Sequence, residues 1–531
     1  MSRKITSLQG QTKPKFIKAL LKKINFFPFY VFCLTLYTIL TYLVANLSQV
    51  NLNVANRLLV LFSVGTLALL LLTRLFGRDF SRAGAYIFLI LLLFFTYEPV
   101  RIVLWKISHA LANDAFLFPL TMLLLIGSIL LIARQSADKI RGWTPYLNIF
   151  GLILLAFPLG RIGIYQRKMA KYQEGLLAQL QQEAPIPPST SLKFLPDVYF
   201  IVLDGYARHD VLEQQVGLDN SEFLDALRQR GFYVADCSMS NYAQTELSLT
   251  STLDMTYLDE IIEQLPEVGE EYFSSFIKHS QVRQFFELLG YQTVNYYNGY
   301  YWMHWDDATY FLGDPRVSQN IDRMIPFEEL FLKTTLFRFL SDTYQAIIPP
   351  SQSSETLSED EANRAIVLFT LENLPETTFL RSPKFVYVHL MLPHPPYIFG
   401  PNGEKQNITA TDLASRLEGY RDQVLFANNR TLPIIDNILS ESGGNVIILL
   451  EGDHGLIDYQ EDWMRMANLM AYYFPDQDYS KLYSSITPVN SFRIVLSQYF
   501  GQDYPLLEDV SYYSAKSSDR PFEVIPNTCN R

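Results

Sequence analysis

Cysteine is scarce in this chain: Cys33, Cys237 and Cys529 are the only three in 531 residues. They form no CxxC pair, so neither a thiolate zinc site nor a disulfide framework is signalled. Cys33 lies in an apolar segment. Cys237 and Cys529 read either as a pair in an oxidising compartment or as two free thiols. A basic excess is also missing. The net charge of −11 argues against nucleic acid as the main partner. No internal repeat is visible. What the chain has instead is apolar residues, 49% of the total, and these are concentrated in the first 165 positions.

Five apolar segments lie at roughly 25–47, 57–76, 84–105, 116–133 and 146–165. Each is near the ~20 residues that cross a bilayer as a helix. A signal peptide does not fit, because the first segment is too long and no small-residue cleavage site precedes the next. Five such runs in succession also argue against buried helices of a soluble core. Residues 1–23 carry Arg3, Lys4, Lys13, Lys15, Lys18, Lys22 and Lys23 and no acid, which assigns them to the cytoplasm. Arg74, Arg78 and Arg82 after the second segment, and Arg134, Lys139 and Arg141 after the fourth, agree with that orientation. The loop from Ser48 to Asn56 has no basic residue. Everything past Tyr165 is then extracytoplasmic. Arg161, Arg167, Lys168 and Lys171 run against the rule, and contact with outer headgroups accommodates them. Glu98 and Arg101 are costly in hydrocarbon unless paired or interfacial; the interface is the expected place.

Residues 166–183 read as an amphipathic helix, and Pro185-Ile186-Pro187-Pro188 as a stiff linker. The expected organisation is a basic N-terminus (1–23), five transmembrane helices (24–165), a linker (166–190) and a second domain (191–531). From Asp197 on, short apolar strands alternate with helical stretches, the pattern of an α/β domain with a mixed, mostly parallel sheet. Strands are expected at Asp197 to Leu203, Phe232 to Ala235, Gln292 to Tyr296, Phe385 to Leu390 and Val446 to Leu450, with a helix at Ser221 to Gly231.

Two strands end in carboxylates. The first leads into Asp204-Gly205-Tyr206. The last leads into Glu451-Gly452-Asp453-His454-Gly455. Open α/β sheets bind ligands at the carboxyl ends of their strands, and Asp and His are oxygen and nitrogen donors for a divalent cation. A strand followed by a polar turn is the competing reading. In Ser240 to Ser251, the spacing of Thr245, Ser248 and Thr252 puts hydroxyls along one side of a starting helix. A hydroxyl there meets free N–H groups and the positive end of the dipole, a place for an oxyanion; an ordinary N-cap is the alternative.

Taken in order, the motifs DVYFIVLDGYAR, NYAQTELSLTSTL, HLMLPHPPY, ILLEGDHG and TPVNSFR resemble the alkaline phosphatase and sulfatase superfamily. With five spans before them, the whole chain resembles the membrane-anchored, lipoteichoic-acid-synthase-like sulfatase-domain proteins of bacteria. The resemblance implies an alkaline-phosphatase-like catalytic domain. Asp204, Thr245, Asp453 and His454 would bind one divalent metal, with manganese the family expectation and magnesium, calcium or zinc open. Thr245 would be the nucleophile and His394 would lie near the transferred anionic group. The implied activity is cleavage or transfer of a phosphoester on an envelope lipid or glycan, by a multi-pass protein of the inner or cytoplasmic membrane.

The chain departs from the formylglycine sulfatase motif: Thr245-Glu246-Leu247-Ser248-Leu249 has no cysteine, proline or arginine. No histidine follows His454, which argues for one metal, not two. The alternatives are a sulfate-ester hydrolase using an unmodified hydroxyl and a non-catalytic envelope-assembly protein. Arg283 either reaches a phosphate or lies on a surface helix. His389 is expected to pack or hydrogen-bond in the core. The stretch from Trp302 to Asp307 is a pocket wall or a packed loop. Arg493 is expected in a structural salt bridge, and residues 350–361 in a loop or helix approach.

Overall fold

The computed structural model describes residues 27–47, 52–77, 79–183, 195–259, 273–300, 302–318, 326–347, 357–406, 408, 412–515, 522–527 and 529. The basic N-terminus, the proline linker and the first part of 350–361 lie outside these residues. The chain forms two compact units, one of 1–167 with 322–354, the other of 168–321 with 355–531.

In the first unit each apolar segment becomes a helix: α1 (Tyr30–Ala45), α2 (Asn56–Gly77), α3 (Phe80–Ile107), α4 (Asp114–Ala133) and α5 (Ala137–Glu183). Four of them are long and apolar enough to cross a membrane. The helix α1 has 16 residues, short of the ~20 expected. Pro28 precedes its first turn, and Asn46 closes it with its N–H on the Leu43 carbonyl. Leu72, Leu75, Val103, Leu123, Leu131 and Ile153 point their side chains outward, a surface that water does not tolerate but lipid does. Glu98 is paired after all: Arg338 Nε lies 2.7 Å from its carboxylate, and Arg101 bonds the same group. Arg338 belongs to one of two further helices of this unit, Pro326–Lys333 and Phe337–Ile347. Glu328 on the first of these pairs with Arg57 of α2.

The second unit is built on a seven-stranded sheet. Its strands are β1 (Asp197–Leu203), β2 (Tyr233–Val234), β3 (Gln292–Tyr296), β4 (Tyr310–Leu312), β5 (Lys384–Leu390), β6 (Val446–Glu451) and β7 (Met470–Tyr473), in the order β2-β7-β6-β1-β5-β3-β4. Only β7 runs against its neighbours. The helices are α6 (Ser221–Gln229), α7 (Thr245–Asp254), α8 (Gln281–Leu288), α9 (Glu359–Asn373), α10 (Leu413–Glu441) and α11 (Ser491–Tyr499).

β1, β5 and β6 are mostly apolar and buried because the sheet is covered on both faces. Side chains alternate between those faces. Tyr199, Ile201 and Leu203 pack with Val367, Leu371, Val424 and Ala427. Val198, Phe200 and Val202 pack with Leu249, Leu253, Phe285 and Phe492.

Cys237 and Cys529 form a disulfide with Cα atoms 5.4 Å apart, which resolves the choice left open above. Trp305 is fully buried with its indole N–H on the Ile277 carbonyl, so the stretch around it is a packed loop. Arg493 bonds the carbonyls of Met255 and Pro505. Ser358 and Glu361 form a capping box at the start of α9, so residues 358–361 are a helix entry.

Candidate active site

Parallel pairing of β1 with β6 and β5 brings three strand ends to one edge. Val202 stands opposite both Glu451 and His389, and Asp204 follows just past the end of β1 with its N–H on the Leu390 carbonyl. Past the end of β6 the chain must pass close to Tyr206: a Cβ on Gly452 would strike the Tyr206 carbonyl. Gly205, at φ +72°, turns its N–H toward Asp453 Oδ1 at 2.8 Å. Only a residue without Cβ takes that backbone conformation cheaply. The two carboxylate-bearing turns are thus stitched together.

Three of the five hydroxyls of α7 face the end of β6 and the turn after it. Ser248 Oγ donates to the Asp453 carbonyl at 2.6 Å. Thr252 Oγ1 lies 3.5 Å from Glu451 Oε1. Thr245 is the first helical residue after Gln244, and its Oγ1 lies 3.3 Å from His454 Nε2. The Thr245 hydroxyl therefore faces the imidazole, not the N–H groups of its own helix.

His454 Nε2 is 3.5 Å from both Asp204 Oδ1 and Asp453 Oδ2. Asp204, Thr245, Asp453 and His454 accordingly come together. Asp204, His389 and Asp453 also offer donor atoms within 4.8 Å of one another, so His389 is at the site and not simply a core residue. Two donor sets overlap on the two aspartates.

These side chains are buried, and several polar atoms have no hydrogen-bond partner among the described residues: Asp204 Oδ1, Asp453 Oδ2, His389 Nε2, Glu451 Oε2 and Arg465 Nη1. A buried carboxylate oxygen with no donor is expensive unless a positive charge compensates it. Two such oxygens beside imidazole nitrogens suit a divalent cation, so the residues present fit a metal.

Burial, then the nearby Asp453, pushes the Asp204 carboxyl well above its usual range; a cation would reverse that. Burial holds His454 well below its ordinary value, assisted by the Arg465 charge. It brings His389 down to about 4 and lowers His394. All three rings are therefore neutral near pH 7, and the close approach of His389 to Asp204 is not an ion pair.

His394 senses the charges of Asp453 and Arg465, which puts it within electrostatic range of the site. Arg283 is occupied elsewhere. Its guanidinium pairs with Glu287 and Asp307, bonds the Lys278 carbonyl and lies over the Trp305 ring. The guanidinium that does reach the site is that of Arg465. Its Nε bonds the Ala243 carbonyl at 2.8 Å and its Nη2 lies 3.1 Å from His454 Nε2. Nothing local in the sequence marks Arg465. For His389 the sequence shows only that it is the penultimate residue of a strand; that this strand lies beside β1 is a matter of tertiary structure.

No protein-family model matches the chain, and no curated protein matches it. Several solved structures are similar to it. The C-terminal periplasmic domain of EcEptC from Escherichia coli, in complex with Zn, is 12% identical, covering 64% of this chain and 96% of that one at a TM-score of 0.39. The integral membrane lipooligosaccharide phosphoethanolamine transferase A from Neisseria meningitidis is 11% identical, covering 91% and 95% at a TM-score of 0.35. The lipoteichoic acid synthase LtaP from Listeria monocytogenes is 12% identical, covering 58% and 73% at a TM-score of 0.36.

Proposed function

We propose that this chain is a membrane-anchored, metal-dependent enzyme of the alkaline phosphatase and sulfatase type. It cleaves or transfers a phosphoester group through Thr245, on a lipid or glycan of the cell envelope. The observation that carries this reading is the contact of the Thr245 hydroxyl with His454 Nε2 at 3.3 Å, beside two buried aspartates whose outer oxygens have no donor.

Asp204, Asp453, His454 and the Thr245 hydroxyl would hold the cation. When bound, it supplies positive charge that favours the alkoxide form of a hydroxyl and offsets charge on phosphoryl oxygens. Two carboxylates, one imidazole and one hydroxyl form an oxygen-rich set, which suits manganese. The Thr245 oxygen gives up its proton to solvent and bonds phosphorus, while the bond to the leaving alcohol oxygen breaks and that oxygen takes up a proton from solvent. Water or an acceptor alcohol then loses its proton to solvent and bonds the phosphorus of the phosphothreonine, and the Thr245 oxygen leaves and regains a proton. Arg465 Nη1 and the start of α7 offer positive ends to the phosphoryl oxygens. His394 lies near that group.

The disulfide between Cys237 and Cys529 supports an extracytoplasmic catalytic unit, because such bonds persist in oxidising compartments. With the N-terminus cytoplasmic, five crossings, the short α1 counted with the four longer helices, give that orientation in the inner or cytoplasmic membrane. The test uses full-length protein in detergent with chromogenic phosphate monoesters, diesters and a sulfate ester. Wild type should turn over a phosphoester and Thr245→Ala should not. Equal behaviour of the two on every substrate sinks the assignment of the nucleophile. Turnover of the sulfate ester alone selects the sulfatase alternative. Lipid and glycan profiles of cells lacking the protein then name the substrate.

A further inference from the structure

Three histidines serve the end of this sheet, and what each offers there depends on what its other ring nitrogen touches. His454 Nδ1 lies 2.9 Å from the Gly455 carbonyl, and His394 Nδ1 lies 2.5 Å from the Pro395 carbonyl. A carbonyl only accepts. Both Nδ1 atoms therefore carry hydrogen, and both Nε2 atoms carry a lone pair. The Arg465 N–H directed at His454 Nε2 agrees.

His389 is different. Its Nδ1 lies 3.4 Å from Asn298 Nδ2. An amide nitrogen only donates, so this Nδ1 accepts and the ring hydrogen sits on Nε2. The orientation of the amide decides the matter, and the amide is pinned. The Tyr300 backbone N–H donates to Asn298 Oδ1 at 3.0 Å, and His304 Nδ1 lies 3.3 Å from the same oxygen. Turning the amide over would set its nitrogen against the Tyr300 N–H, donor against donor, in a buried place. His389 Nε2 itself faces Asp204 Oδ2 at 3.4 Å and has no hydrogen-bond partner among the described residues. A donor can face a carboxylate directly, whereas a lone pair facing one, as at His454, calls for a cation between them.

We propose that Asn298 is a positioning residue: it holds His389 as the Nε2–H tautomer, so that His389 meets an anionic substrate oxygen as a hydrogen-bond donor and stays outside the donor set of Asp204, Asp453 and His454. The proposal rests on the metal reading above. It separates two donor sets that geometry alone leaves overlapping.

The experiment measures Mn²⁺ affinity by titrating metal-stripped, full-length protein in detergent. The variants are His454→Gln, His389→Gln, Asn298→Asp and the double variant of the last two. His454→Gln should weaken binding by about 100-fold, the range typical of losing a ligand or its close support. His389→Gln should lose clearly less, about 10-fold at most, since it removes a group facing Asp204 but no ligand. In Asn298→Asp the carboxylate accepts from Nδ1, moves the ring hydrogen there and frees the Nε2 lone pair. Affinity should then rise about tenfold, and the rise should vanish when His389→Gln is added. A loss in His389→Gln equal to that in His454→Gln overturns the tautomer assignment. So does a gain in Asn298→Asp that survives the second substitution, because plain added charge would then explain it. Unchanged affinity in His454→Gln overturns the metal reading itself, whatever His389 does.

Discussion

In the helical unit Glu98 bonds Arg101 and Arg338, and Arg338 also bonds Asp114. At the carboxyl edge of the sheet Asp204 and Asp453 each keep one buried oxygen without a donor, and Arg465 keeps one nitrogen without an acceptor. The Glu98, Asp204 and Asp453 carboxylates are all buried, but their pairing differs. A paired charge in an apolar surround holds elements together. An unpaired one is tolerated only where something else arrives to complete it. The contrast separates the charges that build this protein from those that serve its site.

The strongest way to break the comparison is at the edge of the sheet. Thr245→Ala should lower turnover of phosphoesters by at least about 10³-fold, the scale of losing a nucleophile, while melting in detergent stays near that of wild type. Comparable activity would put the chemistry elsewhere.

On the paired side, Glu98→Gln takes the carboxylate from Arg101 and one of three from Arg338. It should cost about 3 kcal/mol, as for other broken buried pairs, read from thermal or denaturant unfolding in detergent, with Mn²⁺ affinity unchanged. A loss of metal with no loss of stability would reverse the roles given to the two regions.

Arg465→Gln sharpens the contrast. It should lower kcat/KM by about 100-fold through loss of charge at the phosphoryl oxygens and leave metal content intact. A variant with normal kinetics would make Arg465 structural.

The smallest effect concerns His304, buried against Phe311 and Tyr297. Burial lowers its pKa from 6.5 to about 3. The folded state therefore resists the proton that the unfolded chain takes up below 6.5. Its effect on stability is nil above that pH and grows as a penalty from 6.5 down toward 3. At pH 5.5 the penalty is about 1.4 kcal/mol for one such group. His304→Gln should flatten that part of the melting profile, and an unchanged profile would remove His304 as its cause.

Much of this architecture could be read from residue order. Apolar runs named the helices, because length and hydropathy are properties of a segment. The main strands of the sheet lie close to where their β-branched runs put them, and both carboxylate turns follow strands as expected. The order of the strands was not legible, and with it went His389. Its role depends on β5 lying beside β1, a pairing between residues nearly two hundred positions apart. Arg283 looked available because sequence does not show that Glu287 and Asp307 occupy it. The pairing of Cys237 with Cys529 was undecidable for the same reason.

The sequence by itself determined which segments are apolar enough for a bilayer, which strands are covered on both faces, and which residue types are available for chemistry. Those follow from local composition and from the two-residue and 3.6-residue periods of strand and helix. The tertiary structure alone decided which of those residues meet, which charges are satisfied and which ring nitrogen of each histidine is free. A side chain's chemistry in a buried place is set by its neighbours, and here the neighbours come from strands and turns far apart in the chain.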